Sequence, residues 1–169
     1  MASKKTEIPS SQIMKWIRDK DLDECQVLQK LESSKAFITK KNLNECLDDA
    51  TCLMWAVYGL KPRIVQWLLA MGADPTFCTD CGQSVATYWN PDAISKFGDK
   101  ACEIVIALHE AGAKLQITDY DSPSFDIVKT AYEEGFTSVT DTLKNLGYVY
   151  SAEDDEAMHE RFRLERHYC

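Results

Sequence analysis

The strongest constraint on the fold of this chain is an apolar pattern that recurs along it. Residues 64–73 read IVQWLLAMGA, and residues 104–113 read IVIALHEAGA, an offset of 40. A weaker copy, VTDTLKNLG, follows at residues 139–147, a further 35 along. Such self-similarity is typical of stacked helical units, each of which buries its apolar face only against its neighbours. The recurrence therefore predicts an all-α stack of helix pairs, an α-solenoid, and excludes a doubly wound α/β sheet.

One segment shows the repeating unit clearly. Residues 51–76 read TCLMWAVYGLKPRIVQWLLAMGADPT, in which two short apolar helices are separated by a turn at residues 59–62. Pro62 suits the first turn of the second helix, where a missing N–H costs nothing, and Gly72 suits the left-handed position just beyond its end. The segment therefore predicts a hairpin of two antiparallel helices.

The same segment resembles the ankyrin repeat. The run Thr51-Cys52-Leu53-Met54-Trp55-Ala56 is similar to the T-P-L-H-x-A stretch of that family, and residues 64–76 are similar to its I-V-x-x-L-L-x-x-G-A-D-x-N ending. The next unit keeps Gly82-Gln83-Ser84 in the place of G-x-T. It departs from the family at Trp89 and Asn90, where two small alanines normally stand.

The unit that contains Trp89 also carries a short insertion, within residues 90–100. Asn90 followed by Pro91 is a good cap and first helical residue, so we expect an extra helical turn before the outer helix opens at Ala101. The last unit resembles a degenerate terminal repeat, because it has the run Asp126-Ile127-Val128-Lys129 in the place of T-P-L-H.

Helix-spaced apolar residues also precede the clear unit, and they indicate a helical first unit: Ile13, Met14, Trp16, Ile17, Leu22, Cys25, Leu28 and Leu31. We expect an ankyrin-like domain over residues 10–150, made of units at about 10–45, 46–78, 79–117 and 118–150. A flexible segment, 1–9, comes before it. A charged C-terminal helix, 151–169, comes after it, with acidic residues in its first turn and basic residues near its end.

Composition and charge narrow the classes of function. The chain has 169 residues, 45% of them apolar, which allows one core and leaves no room for a second catalytic domain. A formal charge of −8 argues against nucleic acid or an anionic membrane as the main partner. The start of the sequence lacks a secretory apolar run, and seven cysteines follow no framework spacing. We therefore expect free thiols and a cytoplasmic location, with nuclear entry and the oligomeric state left open.

Motifs of catalysis and of cofactor binding do not occur in the sequence. It contains no G-x-S-x-G, no phosphate-binding glycine loop and no H-E-x-x-H. His109 takes a leucine-like position in its unit, which favours packing over a role as a base. We therefore predict that the chain is not an enzyme and holds no cofactor.

The run Cys78-Thr79-Asp80-Cys81 could supply two of the four ligands of a zinc ion. The candidates for the other two, His167 with Cys169 or Cys102 with His109, lack the spacing of a known zinc module. We call residues 78–81, which lie between two repeats, the finger, and we predict no metal site there. A zinc- or redox-responsive protein that uses Cys78 and Cys81 stays an alternative.

Aspartates cluster at two predicted hairpin tips, as Asp48-Asp49 and as residues 119–121. Two interpretations are open. Aspartate tolerates the positive φ of tight turns, so that the cluster serves turn geometry. Alternatively, the tips present an acidic row to a partner with a basic surface.

The resemblance to ankyrin repeats implies a protein-binding module that uses hairpin tips and a concave face of inner helices. Exposed aromatic side chains on a rigid surface are common anchors of interfaces. We predict that the chain is an adaptor, scaffold or inhibitor, with these partner-binding residues: Asp48, Tyr58, Thr79, Asp80, Tyr88, Trp89 and Phe97. For Trp89 and Phe97, an alternative is that they pack against each other beside the insertion. An alternative function is a small subunit that docks through its terminal helices, at 10–31 and 152–168.

Overall fold

The computed structural model describes residues 7–117 and 126–151. Over these two ranges the chain forms nine α-helices, one short 3-10 helix and one isolated β-bridge, which confirms the predicted all-α fold. The helices are α1 (Ser10–Arg18), α2 (Glu24–Ser34), α3 (Lys40–Asn44), α4 (Cys52–Tyr58), α5 (Pro62–Ala70), α6 (Pro91–Lys96), α7 (Gly98–Glu110), α8 (Ile127–Glu133) and α9 (Thr137–Asn145). The predicted C-terminal helix and the aspartates at 119–121 lie outside the described residues.

The helices pack as an inner and an outer row. Within the inner row α1 lies against α4, and α8 belongs to the same row by its place in the last helix pair. In the outer row α2 packs on α5, α5 on α7, and α7 on α9. Each pair is antiparallel and local, as α4 with α5 and α8 with α9. A continuous core fills the space between the rows, so that the predicted helix pairs bury their apolar faces on one another.

The predicted hairpin of residues 51–76 is confirmed in its details. The Thr51 hydroxyl accepts the Met54 N–H at 3.3 Å and starts α4, in which five side chains are buried: Cys52, Leu53, Met54, Ala56 and Val57. Pro62 stands in the first turn of α5, and Gly72 has a φ of 92° just beyond the end of that helix. A Cβ atom at Gly72 would also lie only 2.5 Å from the Lys40 side chain.

The first unit caps the helix of the next one. The N-terminus of α5 has no side-chain cap of its own, because its cap residue is Lys61. Instead, a Glu24 carboxylate oxygen of α2 accepts the N–H groups of Arg63 at 2.8 Å and of Ile64 at 3.3 Å. A carboxylate at this end of a helix satisfies free donors and complements the helix dipole. The two units are therefore joined by polar contacts as well as by the core.

The unit with the insertion departs from the hairpin. Residues 85–87 form one turn where a full inner helix would lie, while α6 and α7 follow the insertion. Asn90 caps α6 by accepting the Ala93 N–H at 3.3 Å, which confirms the predicted extra turn. The outer helix begins at Gly98 rather than at the predicted Ala101, because the loop between α6 and α7 is a single residue, Phe97.

Trp89 explains why this inner helix stops. Its indole N–H donates to the Val85 carbonyl at 2.7 Å, which in an α-helix would accept the backbone N–H of residue 89. Pro91 disfavours helical backbone at Asn90, which has a φ of −110° and a ψ of 103°. Because no helix continues here, the Ala86 carbonyl is not used in a helical hydrogen bond, and it accepts the Ile127 N–H of α8 at 2.8 Å.

Candidate functional site

Three aromatic rings meet where α4 faces the segment after the turn at 85–87. Trp55 makes edge-to-face contacts with Tyr58, at 5.8 Å between ring centroids, and with Tyr88, at 5.3 Å. Tyr58 and Tyr88 are 5.6 Å apart. We call these three residues the aromatic cluster. Tyr58 is 42% exposed, whereas the other two are half-buried, and burial raises the pKa of the Tyr88 hydroxyl.

An arginine of the first unit covers this cluster. Arg18 is the last residue of α1, and its guanidinium carbon lies 4.1 Å from the centroid of the Trp55 ring. One of its nitrogens is 3.6 Å from a carboxylate oxygen of Asp48. The stacking is a cation–π contact, and the ion pair is exposed and therefore weak. Arg18 thus connects the aromatic cluster to the hairpin tip.

The hairpin tip at Asp48 is a tight turn. Leu47 and Ala50 exchange two backbone hydrogen bonds, of 3.0 and 3.2 Å, and Asp48 and Asp49 between them have φ angles of 52° and 59°. Two left-handed residues between such a pair are typical of a two-residue hairpin. This geometry confirms the interpretation of Asp48 and Asp49 as turn residues. The Asp48 carboxylate also pairs with Arg18, and the Asp49 carboxylate contacts the Cys81 thiol of the next finger.

Two cavities lie on either side of Arg18. The first, of about 460 Å³, lies between α1 and the hairpin tip and is lined by Lys15 and Asp48 among others. The second, of about 500 Å³, lies between α1, α4 and the start of α6. Its walls include Lys20, Lys61 and two rings of the aromatic cluster. Both volumes fall in the range of ligand pockets, about 300 to 1,000 Å³.

Lys61 closes one wall of the second cavity. Its ammonium donates to the Ile17 carbonyl at 2.6 Å and so caps the C-terminal turn of α1. Burial lowers the pKa of Lys61, against smaller opposite effects of Glu24 and Asp19. Lys61 therefore holds the first unit and the second unit together beside the cavity.

Two predicted contact residues are internal, and this corrects their assignment. Trp89 is only 8% exposed and belongs to the core, because its ring fills the space that the missing helix leaves. Thr79 is buried, and its hydroxyl accepts the Gln83 N–H at 3.0 Å within the finger turn. Phe97 is 53% exposed, with the Lys100 ammonium 5.4 Å from its ring centroid.

The remaining predicted residues divide between two places. Asp48, Tyr58 and Tyr88 lie together around Arg18. Asp80 lies at the neighbouring finger, since it and Asp49 both act on Cys46, whose pKa is raised by burial first and by these carboxylates second. Two adjacent tips therefore carry negative charge.

The cysteines of the finger do not lie in a ligand cluster. Cys78 and Cys81 are exposed, and the Cys81 sulfur is 3.9 Å from a carboxylate oxygen of Asp49. Within residues 7–117 and 126–151, no group of three histidine, cysteine or acidic side chains is arranged to hold a metal ion. His167 and Cys169, two of the ligand candidates, lie outside these ranges.

His109 packs as predicted. Its ring is half-buried and makes an edge-to-face contact with Tyr148, whose hydroxyl oxygen is 3.1 Å from Nδ1. Sequence reasoning did not find Arg18 or Lys61 as residues of the site. Each of these cations follows a short apolar stretch. No spacing rule in the sequence links Arg18 to Trp55, or Lys61 to the end of α1.

Residues 48–80 match the model of the ankyrin repeat family. This segment is an ankyrin repeat. The repeat runs from the tip at Asp48 through α4 and α5 to Asp80, and it contains two members of the aromatic cluster, Trp55 and Tyr58. None of the curated proteins matches the chain. Among the helices that the structure describes, none combines the length and the apolar character needed to cross a bilayer.

Proposed function

We propose that the chain is a non-enzymatic interaction protein, an adaptor, scaffold or inhibitor, that binds a protein partner through the surface around Arg18. An ankyrin repeat is in general a protein-interaction module, which supports the class of function. In this proposal the contact surface consists of Asp48, Tyr58 and Tyr88 with Arg18. The finger residue Asp80 lies at its edge.

The observation that carries the proposal is the exposed ring of Tyr58. It lies on two other rings that fix its position, next to a guanidinium that is itself stacked. A tyrosine held in this way loses little side-chain entropy when a partner covers it, which is the usual property of an interface anchor. Ile106 on the outer helix α7 has a similar exposure, 40%, but its aliphatic side chain cannot make ring–ring contacts.

The acidic tips support a further element of the proposal. Asp48, Asp49 and Asp80 are exposed and close to one another. We propose that the partner places a basic side chain opposite these tips, and that the encounter takes place in the cytoplasm. Such charges affect the rate and orientation of binding more than its strength.

The test is an affinity purification from the source cell followed by quantitative mass spectrometry. The full chain carries Tyr58→Ala with Tyr88→Ala in one sample and Ile106→Ala in another. Ile106 is a matched control, because it is 40% exposed and lies on the outer helix α7. We expect the tyrosine variant to lose the native partner by about tenfold or more.

Two observations keep this test clear. Circular dichroism must show the same helical signal and a similar unfolding midpoint for all three chains, since Tyr88 is half-buried. Equal recovery of the partner by the wild-type chain and the tyrosine variant would place the interface elsewhere. Loss of the partner after removal of residues 152–169, with both tyrosines intact, would favour docking through the terminal segments instead.

A further inference from the structure

The second cavity beside Arg18 has a charge opposite to that of the chain. The chain has a formal charge of −8, yet the cavity wall carries three cations, Arg18, Lys20 and Lys61, against one anion, Asp19. We call this space the cationic cavity. A local excess of positive charge in an acidic protein concentrates anions at that place.

Neighbouring carboxylates balance the positive charge of the cationic cavity only in part, since Asp48 pairs with Arg18 while Glu24 and Asp19 act on Lys61 without forming a salt bridge. The Arg18–Asp48 pair is 3.6 Å long and exposed, so water screens it. Among the residues that the structure describes, no carboxylate lies within salt-bridge distance of the Lys20 or Lys61 ammonium groups. Lys61 uses one donor on the Ile17 carbonyl and keeps others.

The floor of the cationic cavity is aromatic. Trp55 and Tyr58 line it, and Leu22 and Ala93 add apolar surface. The indole N–H of Trp55 is buried and has no hydrogen-bond acceptor among the described residues. A space of about 500 Å³ with these walls suits two or three side chains of a peptide, with one carboxylate among them.

We infer that the cationic cavity receives an acidic segment of the protein partner, which rests on the proposed function. An Asp or Glu carboxylate of the segment pairs with Lys20 and Arg18, and an apolar neighbour in the segment lies on Tyr58. Arg18 stays stacked on Trp55, so its guanidinium is already oriented for a bidentate contact when the carboxylate replaces Asp48. The partner then carries acidic residues for the cavity and a basic residue for the tips.

A single carboxylate fits the charge pattern better than a polyanion does. Asp19 lies in the cavity wall, Asp48 lines the neighbouring cavity, and both Asp48 and Asp49 act on the Tyr88 hydroxyl of the aromatic cluster. Nucleic acid binding depends on many phosphate contacts along a continuous basic stripe. The alternation of signs here would repel a chain of phosphates and accept a single acidic side chain.

The test uses a phage library of random dodecamer peptides and the immobilised full-length chain. Wild-type protein, Lys20→Glu and Lys30→Glu are used in parallel. Both variants change the net charge by the same amount. Lys30 serves as the control because it is exposed on α2 and does not line the cavity. We expect peptides selected by the wild type to be enriched in Asp and Glu over the input library, and the enrichment to vanish for Lys20→Glu only.

Fluorescence polarisation with the most frequent selected peptide then measures affinity. We expect the affinity to fall about tenfold for Lys20→Glu and for the peptide with its acidic residues changed to amides, and to change less than about twofold for Lys30→Glu.

Several results would overturn the inference. These are a selection without excess acidic residues, a selection that recovers no binding sequence, and equal weakening by Lys20→Glu and Lys30→Glu. Displacement of the peptide by inorganic phosphate or by an oligonucleotide at similar concentration would assign the cavity to anions in general. If the tyrosine variant loses the native partner while peptides show no acidic preference, the proposed function stands and only the inference about the cavity fails.

Discussion

The ankyrin repeat at residues 48–80 and the unit that follows it start from similar sequence and end in different structures. The repeat has a capped inner helix, α4, and an outer helix, α5. The following unit has one turn at 85–87, an additional helix, α6, and the long outer helix α7. The outer helices of both units pack on each other in the same row.

The outer row therefore maintains the stack, whereas the inner row can change. Ala56 is fully buried in α4, and Trp89 takes the corresponding place in the next unit. A large ring does not fit between closely packed helices, so the chain unwinds after one turn and the ring fills the space itself. The backbone groups that this releases find partners in Trp89 and in Ile127 of α8.

The largest expected effect on stability comes from removing the Trp89 ring, which fills the space of the missing inner helix. Trp89→Ala should lower the free energy of unfolding by about 3 to 5 kcal/mol, because it leaves a cavity in the core. Trp89→Phe keeps most of the volume and loses the bond to the Val85 carbonyl, so we expect a loss of about 1 kcal/mol. Urea unfolding followed by circular dichroism measures both. Equal losses for the two variants would mean that the hydrogen bond, and not the ring, supports this unit.

The last helix pair extends the comparison, since Asp126 starts α8 where Thr51 starts α4. The buried Asp126 carboxylate accepts the N–H groups of Ile117 at 2.7 Å and of Lys129 at 2.8 Å. Asp126→Ala should destabilise the fold by about 2 kcal/mol, because two half-buried backbone donors lose their acceptor. Asp126→Thr restores the residue of the ankyrin pattern and should recover only the cap of α8. A variant as stable as wild type would contradict the bridging role of Asp126.

The same carboxylate gives a pH dependence with a defined sign. Burial raises the pKa of Asp126 above its ordinary value of 3.8, and the backbone N–H bonds oppose this shift in part. The folded state therefore keeps the proton to a higher pH than the unfolded state. The contribution of this group is complete below the unfolded pKa and is lost as pH rises through the folded pKa. The stability of Asp126→Asn relative to wild type should accordingly increase from about pH 3.5 to pH 7 in urea titrations.

A smaller difference in stability is expected between variants of Thr51 and Ser84, which stand at the same place in the two units. Thr51→Ala should cost about 1 kcal/mol, because α4 loses the acceptor of the Met54 N–H. Ser84→Ala removes the acceptor of the Ala86 N–H, at 3.2 Å, where no helix follows, and should cost less than about half of that. Chemical unfolding of the two variants under the same conditions checks the order. The reverse order would show that the turn at 85–87 carries as much stability as α4.

The smallest effect concerns the tip of the ankyrin repeat. Asp49 has a left-handed backbone, with a φ of 59°, where the family has glycine. Asp49→Gly should raise the unfolding free energy by about 0.5 kcal/mol, since glycine adopts this conformation without the steric cost of a Cβ atom. The Cys81 thiol would lose its contact with this carboxylate. A loss of stability would mean that the carboxylate contributes more than the backbone strain costs.

Much of the fold could be predicted because its signals are local. The helix pair at 51–76 depends on a cap at Thr51, a proline at position 62 and a glycine at position 72, which lie within or next to the elements they define. The extra turn after Asn90 could be predicted for the same reason. The loss of the inner helix before it could not, because a tryptophan within an apolar stretch is compatible with either structure until its neighbours are known.

The candidate site could be predicted only in part. The aromatic residues Tyr58 and Tyr88 stand out as side chains of inner positions, and Asp48 stands out as a tip residue. Trp89 is also an aromatic residue at an inner position. It is nevertheless buried, because its ring fills the space that an inner helix would occupy. Arg18 lies far from these residues in the sequence, and only the packing of α1 on α4 brings it over Trp55.

The amino-acid sequence alone is enough to predict the repeat period, the helix pair of the ankyrin repeat and the residues that start and end its helices. These depend on spacing and on caps within a few residues. The folded structure was needed to show which side of each unit is polar, which aromatic rings are exposed and where cations surround a cavity. Such properties depend on contacts between units, as when Glu24 caps α5 and Lys61 caps α1, and a side chain meets such a partner only after the units have stacked.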